Sequence, residues 1–283
     1  MATINRYGEG DVVLSTDKVV TSTWSNNTNN LTTFYTSSIQ ADQTDANSQG
    51  NFFINLYNQP TSSTSASVQL SIGYGHREGK GSVDFTNDTG SFGFSATKVI
   101  YNQYRQLVYG DESQNFTFST HTPDDIYVLN VNRARYRHNL KPGSLNLKLT
   151  GTDGDVYLTD NSNDVLVNTF IGSSKVYQLI SGSNGKAFSG NGYVENSGSY
   201  GLVFPELGTI LLNPDALNEF AGITAVRTAN STNGVNNTTL FDAINNGASF
   251  ELNSQETISS DYIFTRARNS EFNYTQNPTF ISG

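Results

Sequence analysis

A chain of 283 residues is long enough for one large domain or two smaller ones, and with no cysteine it holds neither a disulfide framework nor a thiolate metal site. A formal charge of −9 and a pI near 4.7 speak against general attraction to nucleic acid or anionic membranes, and no run approaches the ~20 apolar residues of a membrane span. Only 14% of residues are charged, against about 25% in ordinary soluble domains, so uncharged Asn, Ser, Thr, Gly and Gln must cover much of the surface, while 17 Phe and 15 Tyr argue against disorder.

In chain order, residues 1–50 are polar and weakly patterned and read as a loosely structured N-terminal arm, with short strands at 12–14 and 18–24 and Trp24 as its anchor. The opening MATINRYGEGD lacks the basic start and apolar run of a signal peptide, so synthesis in a cytosol is expected. A β-rich domain is expected over 51–283, either as one body or divided near 140–150. Residues 52–57 and 68–74 form an antiparallel pair across the turn-rich QPTSSTSA, and GHREGKGS follows as a glycine loop before a short strand at 83–85.

The strongest helical pattern lies at 95–109. Val99, Ile100, Tyr101, Tyr104, Leu107 and Val108 recur there at three- and four-residue spacing, with Ser95 as N-cap and Gly110 as the C-terminal stop. Phe116 and Phe118 then alternate with polar residues, and 126–131 is apolar enough for a strand covered on both faces. Leu145, Leu147 and Leu149 alternate as in a half-buried strand, and Gly151-Thr152-Asp153-Gly154 turns it into a hairpin with 156–159. Further strands are expected at 165–170, 175–180, 200–204 and 209–212, the last two around Pro205-Glu206-Leu207-Gly208. Asn213 caps a short helix with Pro214 at its first position, 240–246 is a second short helix, and 249–252 and 261–268 return to strand. The fold class is therefore mainly β, sandwich-like, with one amphipathic helix and one or two short ones. Val99, Tyr104, Leu107, Val108, Tyr127, Leu129 and Leu147 are expected to be buried.

No constellation carries a reaction, so no catalytic, cofactor-binding or metal-binding residue is assigned. The loop 75–82 has three residues between Gly75 and Gly79, where a phosphate-binding loop needs four, and Gly81 stands between Lys80 and Ser82. Asp153, Asp155, Asp160, Asn161, Asn163 and Asp164 are oxygen-rich but match no calcium-loop spacing and read as turn chemistry. His76, His121 and His138 lack metal-motif neighbours, and Asp124 and Asp125 read as capping or solvating a strand start. Arg133, Arg135 and Arg137 are more informative, because at period two they would project from one face of a strand, with Arg266 and Arg268 repeating the spacing. They are either solvated or paired within the fold with acids such as Asp111, Glu112 or Glu271, or they dock a partner, where the multi-donor guanidinium fork is favoured.

The segments YNQYRQLVYGDESQNFTF, DDIYVLNVNRARY and RARNSEFNYTQNPTF resemble a family of virion structural proteins of T4-like contractile-tailed phages, cyanophages in particular, over roughly 50–283. The resemblance implies a non-enzymatic part of the virion, in the tail or baseplate, whose partners are other virion proteins and copies of itself. Members of that family continue past the NPTF motif with another strand-forming segment, whereas this sequence stops at Gly283. A head-decoration or neck protein and a tail-tip receptor- or glycan-binding module are the alternatives, and a glycoside or peptidoglycan hydrolase, which needs two carboxylates at catalytic separation, is a third class.

Overall fold

Period-two runs of Leu, Val, Ile and Tyr build large antiparallel sheets in a computed structural model, which describes residues 12–36, 53–82, 84–85, 94–165, 169–172, 174–228 and 234–264. The elements run β1 (Val12–Ser22), β2 (Asn30–Leu31), β3 (Tyr35–Thr36), β4 (Phe53–Tyr57), β5 (Val68–His76), β6 (Asp84–Phe85), β7 (Phe94–Ser95) and helix α1 (Ala96–Tyr109). The middle of the chain gives β8 (Asp125–Val131), β9 (Asn139–Leu140), β10 (Asn146–Thr150), β11 (Asp155–Asp160), β12 (Thr169–Ile171), β13 (Ser174–Ser183) and β14 (Lys186–Ala187). Then come β15 (Gly201–Phe204), β16 (Thr209–Leu212), α2 (Pro214–Ala221), α3 (Val235–Gly247), β17 (Phe250–Glu251) and β18 (Asn253–Ile263). The fold is mainly β and sandwich-like, as expected.

The chain separates into two compact units, 20–256 and the paired terminal segments 1–19 and 257–283. In the larger unit the main sheet runs β2-β17-β10-β11-β13-β15-β16-β8-β5-β4-β3 among the described residues. Its two ends, β2 and β3, are joined by only residues 32–34, so the edges stand within about 14 Å of each other and the sheet must curl. Helix α3 touches β10, β5 and β4, strands far apart in that order, so it fills the inside of the curl. In the smaller unit β1 lies beside β18.

Alternation divides the central strands between two cores. Tyr127, Leu129, Ile210, Leu212 and Val203 join the inner core with Trp24, Leu31, Phe34, Leu147, Leu240 and Ile244, while Ile126, Val128, Leu211, Leu202 and Phe204 join an outer core under α1. The doubly covered strand expected at 126–131 is therefore β8. Helix α1 lies on β5 because Gly75 has no side chain: a Cβ there would stand 2.8 Å from Tyr101 N. Gly110 takes the left-handed conformation that stops the helix and donates its N–H to Gln106 O at 3.0 Å.

Four expectations are corrected. Val99 and Leu107 are 41% and 52% exposed, because the close approach at Gly75 rotates α1 so that Ala96, Thr97, Ile100, Tyr101 and Val108 face inward. The described part of the N-terminal arm is not loose: 12–22 is one strand, and Trp24 donates Nε1–H to Phe250 O at 2.7 Å, its ring edge-on to Phe250 at 5.0 Å. No division falls near 140–150, where β10 sits inside the sheet. The helix expected at 240–246 begins earlier, at Val235, through a polar turn in which Asn236 holds the loop before it by donating to Val226 O at 3.0 Å and accepting from Val226 N at 2.7 Å.

Candidate functional site

Strand β8 ends at Val131, and the side chain of Asn132 accepts from Ala134 N at 2.9 Å, capping a 3-10 turn over Arg133–Arg135. The arginines therefore do not form a row on one strand face, and that part of the sequence reading is corrected. Arg133 folds over the Tyr136 ring, its guanidinium carbon 4.6 Å from the centroid, and Nη1 donates to Tyr136 O at 2.6 Å. Arg135 Nη1 donates to Ser25 Oγ at 2.6 Å, whereas among the described residues Arg137 donates only its backbone N–H, to Ser254 Oγ at 2.9 Å. Among the described residues none of the three meets a carboxylate. Of the acids proposed for them, Asp111 is engaged by Ser113, and Glu271 lies outside the described residues, as do Arg266 and Arg268.

Between this turn and residues 21–27 lies a pocket of about 310 Å³, with Thr21, Thr23, Ser25, Asn27, Arg135 and Arg137 in its walls and no acidic lining residue. The loop that closes it turns on Asn26 and Asn27, both in the left-handed conformation at φ 64° and 56°, which asparagine tolerates better than most residues. Thr23 Oγ1 and Arg135 Nε are buried here without a hydrogen-bond partner among the described residues.

The strongest electrostatic feature was not legible in the sequence. Asp125, expected to cap or solvate the strand start, is buried at the start of β8 and accepts from Tyr74 Oη at 2.7 Å, Arg227 Nε at 2.8 Å and Arg227 Nη2 at 2.9 Å. Arg227 also donates to Asp215 Oδ1 at 2.6 Å, and His121 Nε2 donates to Asp215 Oδ2 at 2.7 Å. Asp215 stands in the first turn of α2, where the helix dipole favours a carboxylate. Burial works to raise its pKa, but the bonds from His121 and Arg227 outweigh this and hold it below the ordinary value. Burial, followed by the Asp125 charge, drives the Tyr74 phenol far above its usual range. The network ties α2 and the segment carrying Arg227 to the end of the sheet. Asp124, the neighbour, does stay at the surface, paired with Arg77 at 2.6 Å.

The remaining sequence candidates are spread into separate roles. Asp160 accepts from Gly143 N and Ser162 N, Asp155 pairs with Lys148 at 2.7 Å, and Asp164 accepts from Ala187 N at 2.7 Å. Among the described residues no group of three or more His, Asp or Glu is arranged to hold a metal. The loop after β5 is pinned: Gly81 N donates to Thr228 O, Ser95 Oγ to Gly79 O, and Lys80 pairs with Glu78 at 2.8 Å. Beside α1, a cleft of about 250 Å³ has Ile100 and Tyr104 on one wall and Ser71, Gln103 and Asn130 as polar groups, with Asn130 Nδ2 donating to Tyr104 Oη. Comparison with protein families, with curated proteins and with solved structures finds no match.

Proposed function

We propose that the chain is a structural subunit of a tailed-phage particle, in the tail or baseplate region, that works by binding other virion proteins and copies of itself and not by catalysis. The resemblance of the three segments quoted above motivates the identity of the particle. The observation that carries the assembly role is the smaller unit. Val12, Val13 and Leu14 are consecutive in β1 and all exposed, so both faces of the strand are open, and Ile258, Tyr262 and Ile263 of the neighbouring β18 are exposed as well. The described strands of this unit have no covered face, and apolar side chains exposed on both sides favour burial against another protein. Mass spectrometry and a low-resolution map of purified particles test the reading: the chain is expected as a stoichiometric component below the head, and its absence from particles would sink the proposal. Density at the head or neck would move it to the decoration or neck reading.

The cleft beside α1 supports the second reading, a glycan-binding module, because an aromatic wall with Ser, Gln and Asn groups suits sugar hydroxyls. A glycan array probed with the full chain would show binding that substitution of Tyr104 by alanine removes; an array without signal discards this reading.

A further inference from the structure

We infer that the pocket between residues 21–27 and 135–137 receives the carboxylate of an aspartate or glutamate side chain carried by a partner protein; this rests on the assembly role proposed above and gives it a site. Arginine has five N–H donors, and Arg135 uses one, to Ser25 Oγ, while the Arg137 guanidinium uses none among the described residues. Two guanidinium groups line one small pocket in a chain that carries 25 acidic residues against 16 basic ones, yet none of the pocket's lining residues is acidic. Like charges so placed favour an anion between them, and the planar fork of arginine matches the two oxygens of a carboxylate. The hydroxyls of Thr21 and Ser25 add neutral hydrogen-bonding groups to the rim.

A sugar acid is the weaker candidate, because sugar rings need an exposed aromatic face. Trp24 is sunk in the inner core, and Tyr136, also buried, carries Arg133 over its ring. An acidic protein surface, of which another copy of this chain is one example, presents carboxylates on flexible side chains that reach a pocket of this size. Arg133 is outside the site, since its guanidinium is held by Tyr136.

The test is an NMR titration of the full chain with its arginine side chains isotopically labelled, using the blocked tripeptide Gly-Glu-Gly and its Gly-Gln-Gly twin as probes. The Arg135 and Arg137 side-chain resonances are expected to move with the glutamate peptide and not with the glutamine one. Arg135→Gln and Arg135→Lys should each weaken the response about tenfold or more, the second because it keeps the charge and loses the fork, while Arg133→Gln should leave it unchanged. The buried Trp24 emission verifies that each variant is folded. No response to the glutamate peptide, an equal response to both peptides, or a response that survives Arg135→Gln in a folded protein overturns the inference. So does a response confined to galacturonate or to inorganic phosphate, which would reassign the pocket to sugar acids or phosphate. Because the titration uses the isolated chain, a silent result with the chain present in particles defeats the pocket alone, and absence from particles defeats the phage reading alone.

Discussion

Arg227 meets Asp125 edge to edge, Nε to Oδ2 at 2.8 Å and Nη2 to Oδ1 at 2.9 Å, around a carboxylate that is 1% exposed. The two partners are not equally buried: the Arg227 side chain is 38% exposed, so water and Asp215 can still serve it when Asp125 is gone. Removing the arginine instead leaves a buried negative charge with only Tyr74 as donor. Arg227→Met should therefore cost about 3–5 kcal/mol, and Asp125→Asn distinctly less. Urea denaturation of both variants measures the order, and equal losses would contradict the asymmetry.

Acid should weaken the fold from near pH 6.5 downward. Burial lowers the His76 pKa from its usual 6.5, and Glu78 N donates to its Nδ1 at 3.0 Å, so the native ring is neutral with its proton on Nε2. Below that pH the unfolded chain takes up a proton that the native state refuses, and stability falls. Asp215, held below 3.8, adds stability that is present above that value and lost as pH falls through its native pKa. His76→Asn, whose side-chain oxygen can replace Nδ1 as acceptor, should flatten the limb nearest pH 6.5 and leave the lower one intact. Melting temperature against pH reads both.

Asp160 acts in the opposite sense. Burial raises its carboxyl above the ordinary 3.8, against the hydrogen bonds from Ser162 and Gly143. Stability contributed by its protonated form is therefore present below 3.8 and lost as pH rises through the native pKa. Asp160→Asn keeps one acceptor oxygen for Gly143 N and Ser162 N and should remove this slope. A pH profile unchanged by the substitution would show that the carboxylate is fully compensated.

Two glycines of β5 under α1 should respond differently to a methyl group. At Gly75 a Cβ would press on Tyr101 N at 2.8 Å and Cα at 2.9 Å, which are backbone atoms that move only if the helix moves. At Gly73 the nearest atom is Ile100 Cγ2 at 3.8 Å, an ordinary contact. Gly75→Ala should cost about 1–3 kcal/mol or more, and Gly73→Ala less than about 1 kcal/mol. Thermal melts of the pair decide it.

Leu14, at 73% exposure, and Ile258 should be dispensable for folding and needed for assembly. Leu14→Lys with Ile258→Lys is expected to change stability by about 0.5 kcal/mol or less per site, while incorporation into particles, or self-association seen by sedimentation, drops sharply. Unaltered assembly would remove the smaller unit from the interface.

What the sequence disclosed and what it hid follow from range. The hairpin at 151–154, the Asn213-Pro214 helix start, the Gly110 stop and the doubly buried β8 all rest on chemistry within a few residues, and each formed. The face of α1 followed only partly from its own spacing: Ile100, Tyr101 and Val108 are buried, but Val99 and Leu107 are not, and Gly75, some 25 residues earlier, sets how close the helix comes. The arginine row failed for a local reason that was readable: Asn132 directly after an apolar strand is an N-cap residue, and its side chain does cap the turn. Arg227 gave no such sign, since AGITAVRTAN has neither period, and its partner Asp125 lies 102 residues away.

The short link between β2 and β3 makes the curled sheet a closed loop with a seam. Leu31 at the start of that seam and Phe34 within it both lie in the inner core, and among the described residues the chain N-terminal to it reaches the main sheet through β2 pairing with β17, through Trp24 on Phe250 and through Ser25 on Gln69. A single proteolytic cut within 32–34 would turn this closure from an intramolecular event into the association of two polypeptides, dependent on concentration. The fragments would then behave as a complementing pair, and the shorter one, carrying Trp24 and β2, could equally seat in the β17 edge of a second molecule, so the seam is where strand exchange between copies would begin.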